Sequence, residues 1–128
     1  MGNAKLSTVE KIKAALLNHN VELYIHDDVV KDFKKMDHYN ISIMIALILK
    51  RAQLGLSIPP AEPLNKDLTG YAKIKNRKYP FRGVYKSKVL ENGRIAMYLI
   101  AIGPKDNEKV YKVATGRTNH TNSYFDIE

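Results

Sequence analysis

Apolar residues recur at helical spacing in the first half of the chain and at alternate positions in the second. Val9, Ile12 and Leu16 fall on one side of a short amphipathic stretch. Ser7 followed by Glu10 has the form of a capping box, which predicts that this helix starts at Ser7 and ends near Asn18 to Asn20. Val21 to Ile25 reads as a short strand. Asp27 is suited to cap a second helix, with Val30, Phe33 and Met36 inward and Lys31, Lys34 and Lys35 outward. Asp37 to Asn40 breaks it. Ile41 to Leu54 is rich in Ile, Leu, Met and Ala. Its length and the closing Gly55 favour a helix over a buried strand.

Leu56 to Pro63 holds three prolines and predicts an extended connector. Beyond it the apolar period drops to two. Tyr71 to Arg77 and Phe81 to Val89 read as strands, and Glu91-Asn92-Gly93-Arg94 as a hairpin turn. Ile95 to Ile102 is apolar on both faces, as a central strand would be, and Gly103 and Pro104 end it. Asp106 to Gly116 predicts a short last helix. Residues 118–128 read as a loose polar tail with Tyr124 and Phe125 as anchors. Helices grouped before an antiparallel sheet predict an α+β fold, with N-terminal helices packed on a small antiparallel sheet. Within one domain, residues 1–20 form a helical extension, 21–117 the core and 118–128 the tail.

Composition narrows the chemistry. The chain has 128 residues, 45% of them hydrophobic, enough for one folded domain. It has no cysteine, which excludes disulfides, zinc–thiolate sites and thiol catalysis and points to a reducing cytoplasm. Met1 to Glu10 lacks the apolar segment of a secretory signal, and the longest apolar run, Ile43 to Leu49, is too short to span a membrane. His19, His26, His38 and His120 show no ligand spacing, so no metal site is expected. Neither a glycine-rich phosphate loop nor a Ser/His/Asp arrangement occurs, and no cofactor is expected. Asp27, Asp28 and Asp32 read as helix-start charges.

The net charge of +8 is concentrated. Residues 1–65 carry eight basic against seven acidic side chains, whereas residues 66–117 carry thirteen against four. The tail carries two acids and no base. A surplus confined to one segment predicts a polyanionic partner bound with strong salt dependence; a merely solvated basic face is the plain alternative. Within it, Lys73, Lys75 and Arg77 occur at every second position and share one strand face. If the next strand pairs as a hairpin, Arg82 approaches that row. Like charges side by side destabilise a sheet, so a bound anion is the expected reason for them.

These segments resemble the RelE/ParE toxin superfamily. Leu64-Asn65-Lys66-Asp67-Leu68-Thr69-Gly70-Tyr71-Ala72-Lys73-Ile74-Lys75 is similar to the family's approach to a Lys-x-Lys strand. Tyr79-Pro80-Phe81-Arg82-Gly83-Val84-Tyr85 resembles its Tyr-Arg-x-x-Tyr strand, with Phe81 for the tyrosine. Ile100-Ala101-Ile102-Gly103 followed by Val110-Tyr111 resembles its ending, and Val30 to Met36 its amphipathic helix. The resemblance covers about residues 21–117.

By position, the resemblance to the RelE-like branch implies a catalytic set of Lys73, Lys75, Arg82, Lys105 and Tyr111. At 105 a lysine, preceded by Pro104, stands where the family has an arginine, which loses the planar fork that grips phosphate. Arg77, Lys78, Lys86 and Arg117 are the expected RNA-binding residues. The implied activity is metal-free cleavage of messenger RNA on the ribosome, in a cytoplasmic setting, by attack of the 2′-hydroxyl on its own phosphate. Lys75 is the expected general acid, Lys73 and Arg82 the phosphate holders, and Tyr111 the group that stacks on or orients a base or ribose. Crowding Lys73, Lys75, Arg77 and Arg82 would make a lysine release its proton more readily. The implied partners are a cognate antitoxin, messenger RNA and the ribosome, with no membrane. Two alternatives stay open: a ParE-like inhibitor of DNA gyrase, and a non-catalytic nucleic-acid-binding protein of the same fold.

Overall fold

The computed structural model describes residues 4–25, 27–58 and 60–125. His26 lies outside them, as do the side chains of 4–8 and 120–125, and with these the expected cap at Ser7 and the expected roles of His120, Tyr124 and Phe125. In chain order the elements are α1 (Ala4–Leu17), β1 (Val21–Tyr24), α2 (Asp27–Lys34), α3 (His38–Leu54), β2 (Glu62–Pro63), β3 (Ala72–Ile74), β4 (Phe81–Val89), β5 (Ile95–Pro104) and α4 (Lys109–Phe125). Short 3-10 turns, Lys66–Leu68 and Asp106–Glu108, precede β3 and α4. The fold is α+β. Among the described residues no helix is long and apolar enough to cross a membrane.

The five strands form one sheet in the order β1-β5-β4-β3-β2. It is mixed rather than purely antiparallel, because β1 runs parallel to β5 with Val21 opposite Ile95 and Tyr24 opposite Tyr98. Two helices and a long connector separate β1 from the rest of the sheet, and no tight hairpin dictates its direction. The β4–β5 hairpin turns at Glu91 to Arg94, with Gly93 at φ 86°, as its Asn-Gly pair predicts.

The sheet is covered on both faces. Ile12 and Leu16 of α1, Val29 and Phe33 of α2, and Met44 and Ile48 of α3 pack on Ala72, Ile74, Tyr85, Met97 and Leu99. On the opposite face, Val110 and Ala114 of α4 pack on Val84, Ile100 and Ala101. This two-sided burial accounts for the uninterrupted apolar run in β5. The buried Tyr85 hydroxyl donates to the Leu56 carbonyl at 2.7 Å, which ties the proline-rich connector to β4.

Several boundaries differ from expectation. Helix α1 already runs from Ala4, so Ser7 lies inside it rather than at its start. Helix α2 buries Phe33, and Met36 just beyond its end is buried too, as expected, but Val29 takes the inward place expected of Val30 and Asp32 joins it. Helix α3 starts at His38 because Asp37, expected only to end α2, caps it by accepting from the Asn40 amide at 2.8 Å. The connector carries β2, whose Pro63 is tolerated on a sheet edge. Strand β3 ends at Ile74 rather than Arg77, since Asn76 starts a turn by accepting from the Lys78 amide at 2.8 Å. The expected loose tail is helical through Phe125, as α4 continues past Gly116.

Candidate functional site

The strand register decides which basic side chains meet. Lys73 faces Val84 on β4 and Glu62 on β2, and Val84 in turn faces Ala101 on β5. These positions share the sheet face that α4 covers, so α4 and Lys73 lie on the same side of the molecule. The Lys75 side chain projects just beyond the end of β3.

Lys73 and Lys75 converge on a single atom. Their ammonium nitrogens lie 3.6 Å and 3.3 Å from Oε1 of Glu62. One oxygen already bridges both cations, so a phosphate oxygen could bridge them as well. Partial desolvation pushes the Glu62 carboxyl up, but the hydrogen bonds and charges of Lys75 and Lys73 outweigh it and hold the group below the usual carboxylate range. The expected cluster of unrelieved positive charge is thus corrected: a carboxylate offsets the repulsion between the lysines. Glu62 leaves no mark in the sequence pattern, because its approach to Lys73 depends on β2 folding back on β3 around residues 64–71.

Arg82 is buried, at 6% exposure. Its Nη1 donates to the carbonyls of Tyr79 at 2.6 Å, Phe81 at 2.9 Å and Asn76 at 3.3 Å. It therefore braces the turn that carries Arg77 and Lys78, and its charge acts on the Tyr111 phenol. Nη1 is committed to these carbonyls, so the phosphate contact expected of Arg82 would come from its other guanidinium nitrogens.

Tyr111, on the first turns of α4, is half-buried. Burial pushes its phenol up, against the pull of Arg82 and with help from Glu108 and Glu62, so it is a neutral hydrogen-bond donor at physiological pH. It lines a cleft of about 360 Å³ between the loop before β3 and α4, with Leu64, Leu68, Glu108, Thr115 and Lys73. Lys66 and Glu108, which also line it, have left-handed backbone, φ 54° and 56°. Such conformations cost about 1 kcal/mol or more and persist where the surroundings hold them. Here Lys66 accepts from the Thr69 amide at 3.1 Å, and the Glu108 amide donates to Lys105 at 2.8 Å.

The other expected residues divide. Lys105 is exposed and its amide donates to the Pro80 carbonyl at 2.8 Å, which puts its backbone at the sheet end that bears Lys75, Arg77 and Lys78. Lys86 lies farther along β4, with its ammonium 5.6 Å from the centre of the Tyr71 ring. Arg117 is not part of the basic surface. Its Nη1 donates to Oδ2 of Asp32 at 2.7 Å and to the Ile100 carbonyl at 2.9 Å, and its Nη2 donates to Oδ1 of Asp32 at 2.9 Å. The expected RNA-binding role of Arg117 is thereby corrected, and so is the reading of Asp32 as a helix-start charge. Asp32 also accepts from the Ile102 amide at 3.0 Å. A carboxylate in step with Val29, Phe33 and Met36 was the available sequence signal. Among the described residues, no group of three or more His, Asp or Glu side chains could hold a metal ion.

No protein-family model matches the chain, and no curated protein does either. Solved structures do. A mutant of the E. coli toxin RelE in the free state is 20% identical, with a TM-score of 0.57 over 75% of this chain and 95% of that one. The isolated E. coli RelE toxin is 19% identical, with a TM-score of 0.52 over 74% and 95%. The toxin–antitoxin complex RelBE2 from Mycobacterium tuberculosis gives 15% identity and a TM-score of 0.41 over 64% and 94%. The chain has the fold of the RelE toxins.

Proposed function

We propose that this protein is the toxin of a type II toxin–antitoxin module and cleaves messenger RNA without a metal ion. The observation that carries the reading is the convergence of Lys73 and Lys75 on one oxygen beside the Tyr111 cleft, on a RelE fold. Cations fixed at that spacing stabilise the charge that gathers on phosphoryl oxygens as a ribose 2′-hydroxyl attacks. Lys73 and Lys75 hold the scissile phosphate. Lys75, the more exposed of the two, gives a proton to the departing 5′-oxygen. Tyr111 donates a hydrogen bond to a ribose or base seated in the cleft, and the charge of Arg82 acts on its phenol. Arg77, Lys78 and Lys105 follow the RNA backbone at the sheet end and supply salt-dependent affinity.

The setting that goes with this reading is the cytoplasm, with the message on the ribosome and an antitoxin encoded alongside. The test is induction in a bacterial host with mapping of message 5′ ends. Growth arrest with new 5′ ends inside coding regions is the expected result. Arrest with intact message and blocked supercoiling would replace the nuclease by a gyrase inhibitor.

A further inference from the structure

The sheet end beyond Lys75 carries two tyrosines that the reaction proposed above does not use. Tyr39 is the second residue of α3 and is 68% exposed. It lies on the side of the helix opposite the buried Ile41, Met44 and Ile48, so the core does not require an aromatic ring there. Tyr79, half-buried, sits in the β3–β4 turn, and its phenol is near enough to push that of Tyr39 up. We propose that Tyr39 and Tyr79 form a stacking site for an unpaired base of the RNA strand, a few nucleotides from the cut. The inference rests on the ribonuclease reading for its substrate and extends the contact beyond the cleft.

Three observations support it. The turn is held in place: the Tyr79 carbonyl accepts from Arg82 at 2.6 Å, the Tyr79 amide donates to Asn76 at 3.1 Å, and the Pro80 carbonyl accepts from the Lys105 amide at 2.8 Å. A ring on so fixed a backbone loses little freedom when a base packs on it. Next, Arg77, Lys78 and Lys105 are exposed at the same sheet end, and among the described residues no carboxylate pairs with them. Asp37, the acid beside Tyr39 in sequence, is occupied in capping α3 through the Asn40 amide. Aromatic rings among free cations suit a single strand, because the cations hold phosphates and the rings take bases of any identity. The exposed aliphatic side chains Leu54 and Val89 lie at the far ends of α3 and β4, so the patch offers a protein helix no apolar anchor. Finally, Tyr79 follows Lys75 by four residues, at most about 15 Å of chain. A strand whose phosphate is held by Lys73 and Lys75 therefore reaches the two rings within a few nucleotides.

The test is the binding, by fluorescence anisotropy, of a labelled 2′-O-methyl oligoadenylate, which has no free 2′-hydroxyl and cannot be cut by its attack. An abasic strand of the same length and backbone is measured beside it. Wild type, Tyr39→Ala, Tyr39→Phe, Tyr79→Ala and Lys78→Ala are compared, with thermal melts of each. Tyr39→Ala should melt as wild type does and bind the adenylate about tenfold more weakly, the scale of one stack between a base and an aromatic ring. Tyr39→Phe should keep nearly full affinity, since it keeps the ring. Wild type and Tyr39→Ala should bind the abasic strand equally. Lys78→Ala should weaken both strands alike and reduce the salt slope by about one, the mark of a lost phosphate contact.

Folded Tyr39→Ala and Tyr79→Ala proteins that both bind the adenylate as wild type does would overturn the stacking site and leave the two rings to a protein partner. An equal loss on the abasic strand would overturn it as well, because the rings would then not be holding bases. A wild type that shows the Tyr39-dependent binding yet leaves message intact would uphold the site and overturn the ribonuclease reading alone.

Discussion

Asp32 and Arg117 form a two-pronged ion pair across 85 positions of sequence, with contacts of 2.7 Å and 2.9 Å. The pair sits where β1 has ended and β5 continues. There the Ile102 amide donates to Asp32 and the Ile100 carbonyl accepts from Arg117, so α2 and α4 satisfy a strand edge that no neighbouring strand covers. The same contact fixes the helix that carries Tyr111.

Breaking that pair should be costly. Asp32→Ala strands a guanidinium that is 16% exposed and leaves the Ile102 amide unpaired. A loss of about 3–5 kcal/mol is expected, read from urea unfolding. Near-wild-type stability would mean that α4 docks by its apolar face alone.

Lys73→Ala and Lys75→Ala should behave in the opposite way. Both side chains are partly exposed and pair with a half-exposed carboxylate, so each change should alter stability by less than about 1 kcal/mol. Cleavage should nevertheless collapse. Folded, monodisperse variants with normal melting but no activity would separate function from fold at these positions.

Arg82 should couple the two properties. Arg82→Ala removes a donor shared by three carbonyls and should cost about 2 kcal/mol, as for hydrogen bonds to a charged group. Cleavage should fall with it, because the turn that carries Arg77 and Lys78 loses its brace. Arg82→Lys should recover little, since an ammonium lacks the planar fork. Paired melting and cleavage assays check this. Full activity in Arg82→Ala would remove Arg82 from the account.

Tyr85 predicts an alkaline limit to stability. Burial pushes its phenol from 10.0 up to about 12, against the charge of Arg51. A group whose pKa is raised on folding stabilises the native state below its unfolded value, and loses that contribution as pH climbs through the folded one. Stability should therefore decline between about pH 10 and about pH 12. Tyr85→Phe should flatten the decline while weakening the fold at neutral pH, because the Leu56 carbonyl loses its closer donor. Melting temperature against pH for the two proteins is the measurement.

These outcomes bear on what the sequence can reveal. The β4–β5 hairpin is visible in its period and its Asn-Gly turn, and the two-faced apolar run of β5 marks its central place. Lys73 and Lys75 are legible because period two puts them on one face. Glu62, Asp32 and the brace around Arg82 are not, since each depends on residues brought together by folding rather than on local pattern. Arg117 and Arg82 illustrate the cost of reading charge alone: both are cations in a basic segment, and both have their guanidinium groups engaged by the protein itself. The direction of β1 and the length of α4 likewise rest on tertiary contacts, which override weak local signals.

The central claim is that Lys73 and Lys75 act on a scissile phosphate. The most direct test is mapping of 5′ ends on ribosome-bound message treated with wild type and with the Lys73→Ala, Lys75→Ala double variant. Wild type should produce discrete new ends, and the double variant should produce them at least about 100-fold more slowly while melting normally. Unchanged cutting by a folded double variant would contradict the account.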